Sequence, residues 1–137
     1  ALMLMAREKA NSLGLKPLVS IMAQASASHE PEWFTTAPLK AISSTLKKGN
    51  LNSNDIDLWE INEAFGPVVM AAIKEYKLDH NKVNIHGGAI ALGHPIGCSG
   101  ARILTTLIHA MIKREARTGL ATLCIGGGEA SAILVRR

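Results

Sequence analysis

The sequence predicts an α/β domain in which helices pack on the faces of a mixed β-sheet. Segments of strand length, rich in apolar and small residues, alternate with amphipathic segments of helix length, and two strand-like segments close the chain. The chain has 137 residues, of which 47% are hydrophobic and 19% charged. This composition suits one folded domain with a buried core.

In the first half of the chain, predicted helices alternate with predicted strands. A short helix is predicted near residues 7–13, and a strand over residues 17–28, where apolar and other small residues alternate. Residues 29–35 form a polar connection. Thr36 is then a candidate N-cap for an amphipathic helix that ends at Gly49.

The second half continues the alternation. A short strand over residues 56–61 leads into Asn62, and apolar residues at helical spacing predict a helix over residues 65–76. Asn62 is therefore expected at the corner between a strand and a helix. A further helix follows Ser99 and ends near basic residues at 113–117, which favour the negative end of a helix dipole. Two predicted strands close the chain, over residues 120–125 and 130–135.

No segment has the composition of a membrane span or of a secretion signal. A spanning helix needs about 18 to 20 consecutive apolar residues, and no apolar run approaches that length. The first residues do not combine a charged region, an apolar stretch and a cleavage site. We expect a soluble protein of the cytoplasm or of an organelle matrix, with no membrane partner. Because the chain opens with Ala1 inside an apolar stretch, we also expect a fragment of a longer protein.

The charge and the aromatic content narrow the choice of partner. The formal net charge is +4, and aromatic residues make up only 4% of the chain. Binding of single-stranded nucleic acid relies on aromatic stacking platforms beside a basic groove, so nucleic acid is not an expected partner. A positive charge is compatible with an anionic small molecule such as a nucleotide.

The densest signal is the segment from His86 to Gly100, which contains five glycines in fifteen residues. Such a density indicates unusual backbone angles or close packing. Gly88 and Gly93 have the spacing of the first two fixed positions of a P-loop, but His94 follows where that motif requires lysine. A P-loop is therefore rejected.

A second glycine cluster, Gly126-Gly127-Gly128, lies between the two closing strands. Because a strand follows it, the cluster is not the strand–glycine–helix fingerprint of a dinucleotide site. A tight hairpin turn is the simpler interpretation. The functional alternative is that a backbone N–H of the turn points at a developing oxyanion.

Single residues near these clusters allow both structural and chemical interpretations. Cys124 is either a small buried hydrophobe or an acid/base thiol. His94 is either a hydrogen-bonded structural histidine or a base, and Asn62 is either a helix cap or a site residue. Cys98 is expected to be a packing residue, and both cysteines are expected to be free thiols. A zinc site built from these residues with His86 lacks the usual ligand spacings, so no metal is expected.

Three stretches taken together resemble one family. Trp59 to Phe65, the loop from His86 to Arg102, and Cys124 to Gly128 are similar in order and spacing to signatures of the thiolase C-terminal domain. The resemblance covers essentially the whole chain. The residues leading into Trp59 and the His86-Gly87-Gly88 variant resemble the biosynthetic acetoacetyl-CoA thiolases, also called acetyl-CoA acetyltransferases.

The resemblance implies a fold and a set of partners. The expected fold is a βαβαβαββ domain with a mixed five-stranded sheet and helices on its faces, formed by residues 1–137 as the second half of a thiolase. The nucleophilic cysteine would belong to an N-terminal domain that precedes this chain. The implied partners are that domain, acyl-CoA or CoA, and further copies in a homodimer or homotetramer. A coenzyme A thioester is implied as substrate, without any cofactor.

The resemblance also implies a role for each site residue. His94 would activate the nucleophilic cysteine of the other half, and Cys124 would move a proton to or from the α-carbon of the acyl group. Asn62 would hold a water that forms an oxyanion site together with His94, and the Gly126 N–H would contribute to a second oxyanion site. Phe65 would line the acyl pocket.

Some features depart from the family pattern or favour other functions. Neither cysteine of the chain matches the family's nucleophile, so the chain alone is expected to be inactive. Glu129 stands where many relatives carry a small or apolar residue, and residues 33–38 differ from the commoner version. A non-catalytic domain for acyl-CoA binding or assembly is the alternative function. A ketoacyl synthase relative is disfavoured by the Gly93-His94-Pro95 motif in combination with Cys124.

Overall fold

The computed structural model describes all residues 1–137 and contains five α-helices and four β-strands. In chain order these are α1 (Arg7–Ser12), β1 (Ser20–Ser28), α2 (Ala37–Gly49), β2 (Leu58–Ile61), α3 (Gly66–Tyr76), α4 (Ala89–Leu92), α5 (Ser99–Lys113), β3 (Thr118–Ile125) and β4 (Glu129–Arg136). Three short 3₁₀ turns cover Pro31–Thr36, Ser53–Asp55 and His80–Lys82. No helix is both long enough and apolar enough to cross a membrane.

The four strands form one mixed sheet in the order β1-β4-β3-β2. β4 pairs antiparallel with both β1 and β3, while β2 pairs parallel with β3. The carboxyl ends of β2 and β3 therefore lie at the same edge of the sheet. The predicted mixed α/β class is confirmed.

The prediction of a fifth strand is wrong. Between α3 and α4 the chain meets β2 only at a single parallel bridge between Trp59 and Val83. Extended backbone stops at Asn84, whose φ of 48° lies in the left-handed region. Its side chain replaces the missing ladder, because Oδ1 accepts the Ile61 N–H at 2.8 Å and Nδ2 donates to the Ile61 carbonyl at 2.9 Å. The Asn84 backbone N–H also donates to the Trp59 carbonyl at 2.9 Å, so this one residue pairs the outer edge of β2 at both Trp59 and Ile61.

Helices cover both faces of the sheet. Successive strand residues point to opposite faces, and on β3 Leu120 belongs to the core formed with α2 and α3, whereas Ala121 belongs to the core formed with α5. α5 lies close to the sheet at Gly119, where a Cβ atom would approach the Met111 sulfur to 2.5 Å. The predicted placement of helices on both faces is confirmed.

Thr36 occupies the predicted N-cap position of α2, but its side chain does not cap the helix. Its hydroxyl donates to the Trp33 carbonyl at 2.9 Å, because the chain enters α2 directly from a 3₁₀ turn. Asn62 is not a helix cap either, since Phe65 occupies the N-cap position of α3. The short helix α4 lies inside the glycine-rich loop, where the residue pattern does not predict a helix.

Candidate active site

Asn62 lies directly after β2 and continues its pairing with β3. Its side chain is fully buried, and its backbone N–H donates to the Thr122 carbonyl at 3.0 Å. Cys124 follows two residues later on β3, about 6 to 7 Å further along the strand. Because β2 and β3 are parallel, Asn62 and Cys124 both lie near the edge of the sheet at which these two strands end.

His94 joins this edge from the glycine-rich loop. The distance from its Nε2 atom to the Asn62 Nδ2 atom is 3.5 Å, and the distance from its Nδ1 atom to the Ser99 Oγ atom is 2.5 Å. The Ser99 hydroxyl donates to the Pro95 carbonyl at 3.1 Å. A hydroxyl carries one hydrogen, so Ser99 accepts from His94 and fixes the proton of the neutral ring on Nδ1. The Nε2 lone pair is then free to act as a base or acceptor.

The buried Glu60 and the partly exposed Arg102 form an ion pair on the other side of Asn62. Arg102, on the first turn of α5, places one guanidinium nitrogen 3.4 Å from Glu60 Oε2 and the other 3.4 Å from Asn62 Oδ1. Burial raises the pKa of Glu60 to about 7, and the positive charge of Arg102 offsets part of that effect. Sequence reasoning missed this pair, because nothing in the residue pattern shows that positions 60 and 102 meet.

Glu63 anchors the glycine-rich loop to the end of β2. Its carboxylate accepts from Asn84 Nδ2 at 3.1 Å and from the Ile90 N–H of α4 at 3.0 Å. Gly88 makes this approach possible, since a Cβ atom there would lie 2.1 Å from the Glu63 carboxyl carbon. The signals that would have found this contact are the two consecutive glycines before α4 and the carboxylate directly after Asn62.

Cys124 lies near the end of β3, opposite Ala130 of β4. It is buried, and it belongs to the apolar core formed with α2 and α3. Burial raises the pKa of the Cys124 thiol, while a backbone hydrogen bond has a smaller opposite effect. The environment therefore favours a protonated thiol. The hydrogen bonds of His94 run to Asn62 and Ser99 rather than to Cys124.

The triplet of glycines forms the predicted hairpin turn between β3 and β4. Gly127 and Gly128 have φ values of 88° and 84°, which L-residues other than glycine adopt only with strain. Gly126 is exposed, and its N–H has no hydrogen-bond partner within the chain. The neighbouring Glu129 faces solvent.

The remaining predicted residues lie on the surface. Phe65 is 58% exposed and makes an edge-to-face contact with Phe34, with ring centroids 5.8 Å apart. The expectation that Cys98 is a packing residue is wrong, because its side chain is exposed at the N-terminus of α5. No group of three or more His, Cys, Asp or Glu side chains lies close enough to hold a metal ion.

One cavity of the domain lies away from this edge of the sheet. It has a volume of ≈ 560 Å³ and lies between the N-terminal residues 1–21 and α5. None of the residues predicted for the site lines it. Asn62 and Cys124 are buried, whereas the loop that carries His94 has exposed apolar side chains such as Ile90 and Ile96.

The fold and these side chains define an α/β domain that carries a histidine, an asparagine and a thiol at the carboxyl ends of two parallel strands. Residues 15–137 match the family model of the thiolase C-terminal domain. The chain therefore belongs to the thiolase family, in which it corresponds to the C-terminal domain, and the family prediction is confirmed.

Two relatives that match the chain over its whole length are named acetyl-CoA acetyltransferase. The chain is 45% identical to the acetyl-CoA acetyltransferase of Schizosaccharomyces pombe and 49% identical to the mitochondrial acetyl-CoA acetyltransferase of Rattus norvegicus, over 137 residues in both cases. These matches cover 100% of this chain but 35% and 32% of the two relatives. The chain thus spans about a third of the length of the relatives it matches.

Solved structures agree in fold. The crystal structure of the Bacillus anthracis acetyl-CoA acetyltransferase superposes with a TM-score of 0.93 at 43% identity, over 96% of this chain and 34% of that one. The human mitochondrial 3-ketoacyl-CoA thiolase gives a TM-score of 0.92 at 37% identity, over 96% of this chain and 33% of that one. The predicted thiolase-like fold is confirmed.

Proposed function

We propose that this chain is the C-terminal half of an acetyl-CoA C-acetyltransferase, which condenses two acetyl-CoA to acetoacetyl-CoA or, in reverse, thiolyses a 3-ketoacyl-CoA. The observation that carries the proposal is the hydrogen-bonded His94, whose Nε2 lone pair faces the Asn62 amide while Ser99 holds the Nδ1 proton. A base of this kind is what an acyl transfer to a thiol requires. The names of the relatives support the substrate class.

The first step transfers an acyl group to a cysteine of the N-terminal domain. That thiol gives its proton to His94 Nε2, and the resulting thiolate attacks the thioester carbonyl of the first acetyl-CoA. The carbon–sulfur bond to CoA breaks, and the CoA sulfur leaves with the proton of the Cys124 thiol. This leaves Cys124 as a thiolate and the first proton on His94 Nε2, from which it returns to the N-terminal cysteine at the end of the cycle. The acyl group remains on the cysteine as a thioester, and free CoA is released.

The second step forms the carbon–carbon bond. The Cys124 thiolate takes an α-proton from the second acetyl-CoA, and His94 together with a water held by Asn62 stabilises the enolate oxygen. The α-carbon attacks the acyl-cysteine carbonyl, and the exposed Gly126 N–H stabilises the oxyanion. Loss of the N-terminal cysteine thiolate then gives acetoacetyl-CoA. Phe65 contributes an apolar wall for the acyl group.

The raised pKa of Cys124 suits one direction of this cycle directly. A protonated thiol is ready to deliver a proton to the α-carbon, as thiolysis requires once the carbon–carbon bond breaks. In the direction of condensation the same thiol first has to lose its proton. Thiolysis therefore needs the protonated Cys124 thiol, whereas condensation needs its thiolate.

The proposal also covers the partners of the chain. Coenzyme A thioesters are the substrates, and no cofactor takes part in the cycle. The N-terminal domain supplies the nucleophile, so this chain alone is inactive. Several large apolar side chains near the site edge are exposed, namely Phe65, Ile90, Leu92 and Ile96, which supports packing against that domain or against another copy in a dimer or tetramer.

A thiolysis assay tests the proposal. Loss of acetoacetyl-CoA is followed after addition of CoA, for this chain alone and for the chain joined to its N-terminal domain. We expect activity only in the joined protein, with losses of at least about a thousandfold in kcat for His94→Ala and for Cys124→Ala. Inactivity of the folded joined protein would contradict the enzymatic proposal and leave a domain for acyl-CoA binding or assembly.

A further inference from the structure

The Asn62 amide lies between two groups with opposite hydrogen-bonding needs. The Arg102 guanidinium faces its Oδ1 atom at 3.4 Å, and His94 Nε2 faces its Nδ2 atom at 3.5 Å. Both distances are at the long end of the hydrogen-bonding range, and hydrogen bonds in catalytic sites often tighten only when substrate binds. The Asn62 side chain is fully buried, so an amide turned the wrong way would leave its polar atoms facing groups that cannot pair with them.

The chemistry of arginine decides which end of the amide faces the histidine. A guanidinium only donates hydrogen bonds, so the amide atom that faces Arg102 has to be the oxygen. The NH₂ group then points towards the Nε2 lone pair of His94. Donors run in one direction through the network, from Arg102 to Asn62, His94 and Ser99, and end at the Pro95 carbonyl.

The Glu60–Arg102 pair is poorly built for stability alone. Glu60 Oε1 and Arg102 Nε are buried without a hydrogen-bond partner, and the single contact between the side chains is 3.4 Å long. Burying two charges with atoms left unpaired is costly, and an apolar pair of similar volume is often the more stable choice. The negative charge of Glu63 acts on Glu60 as well and further disfavours its ionised form. The arrangement therefore suggests a role beyond packing.

We propose that Arg102, held by Glu60, is a positioning residue that orients the Asn62 amide so that its NH₂ group faces His94. This inference rests on the proposed thiolase function. Without the guanidinium, the amide is free to rotate by 180° and to present its oxygen to Nε2. An acceptor facing the Nε2 lone pair favours the tautomer with the proton on Nε2, which removes the base and misdirects the water site on Asn62.

The test is a double-mutant cycle in the joined protein, with thiolysis as the assay. Arg102→Met is expected to lower kcat about a hundredfold with little change in KM, since it misaligns a group without removing it. In an Asn62→Ala background the same substitution is expected to lower kcat less than about twofold, because the amide it acts on is gone. Arg102→Lys keeps a donor and a counter-ion, and is expected to retain more activity than Arg102→Met.

Controls separate positioning from folding. Arg114→Met, at the exposed C-terminal end of the same helix, is expected to leave kcat unchanged. If Arg102→Met does not fold because Glu60 is left unpaired, the Glu60→Gln/Arg102→Met variant removes both charges and takes its place in the cycle. Equal losses of kcat in the Asn62 and Asn62→Ala backgrounds, or no loss in either, would overturn the inference.

A readout without turnover distinguishes this inference from the proposed function. Solid-state ¹⁵N NMR of histidine-labelled protein, assigned by subtraction of a His94→Gln spectrum, reports which ring nitrogen carries the proton. We expect the Nδ1–H tautomer in the parent and the Nε2–H tautomer in Arg102→Met. If the folded joined protein has no thiolase activity, the proposed function fails, and the tautomer alone decides whether Arg102 positions the amide.

Discussion

His94 and Cys124 lie near the same edge of the sheet, but the structure holds them in different ways. His94 sits in a loop and is oriented by hydrogen bonds to Ser99 and Asn62. Cys124 sits within a strand and is surrounded by the apolar core. Hydrogen bonds define a proton position, whereas apolar burial shifts a pKa. The structure thus fixes the proton position of His94 through hydrogen bonds and raises the pKa of Cys124 through burial.

The glycine turn that follows Cys124 gives the largest expected effect. A Cβ atom on Gly128 would lie 2.2 Å from the His29 carbonyl oxygen, and φ is +84°. Gly128→Ala is expected to lower the free energy of unfolding by about 3 kcal/mol or more, as measured by urea denaturation.

Gly127 is the matched control for that substitution. Its φ is +88°, but no atom lies within 4 Å of the position that a Cβ atom would take there. Gly127→Ala should therefore lower stability by only about 1 to 2 kcal/mol, the strain of a left-handed residue. Equal losses of unfolding free energy for the two variants would show that the close approach of Gly128 to the His29 backbone does not add to the stability of this turn.

The buried carboxyl on the His94 side predicts a pH dependence of stability. Glu60 has a pKa of about 7 in the folded chain against 4.5 as its ordinary value, so the folded state binds this proton more tightly than the unfolded state. Its contribution is fully present below pH 4.5 and is lost as the pH rises to about 7, by roughly 3 kcal/mol at most.

Glu60→Gln isolates this contribution from the other titrating groups. The difference in unfolding free energy between parent and variant, measured by urea denaturation at several pH values, should change between pH 4.5 and 7 and level off above. A difference that is constant over this range would show that Arg102 keeps Glu60 ionised throughout.

A smaller effect is expected for the hydrogen bond that fixes the His94 tautomer. Ser99→Ala removes the partner of Nδ1 and should lower stability by about 1 to 2 kcal/mol, as for other buried hydrogen bonds. In the joined protein it should also lower kcat for thiolysis, because the ring loses its orientation. Thr106→Ala on the same helix removes only a hydroxyl that donates to the Arg102 carbonyl, and serves as the control.

The contrast between His94 and Cys124 also shows which parts of the site a sequence can predict. Both residues, like Asn62, lie in glycine-rich or corner segments whose spacing resembles a known family. The residue pattern assigns no role to four further side chains, although the first three lie in the same stretches: Glu60, Arg102, Glu63 and Asn84. Their roles depend on contacts between positions 21 to 42 residues apart, and such contacts leave no periodic trace in a sequence.

The sequence by itself determined the α/β class, the order of the four strands and of every helix except α4, and the hairpin turn, because periodicity and glycine placement are local properties. The thiolase family followed from the resemblance of three stretches to a known family pattern. Tertiary structure alone decided that Asn84 replaces a fifth strand, that Cys98 is exposed, and that one guanidinium lies against the Asn62 amide. These outcomes depend on how distant segments share space and satisfy buried polar atoms. The direction of each hydrogen bond around His94 follows from that shared geometry.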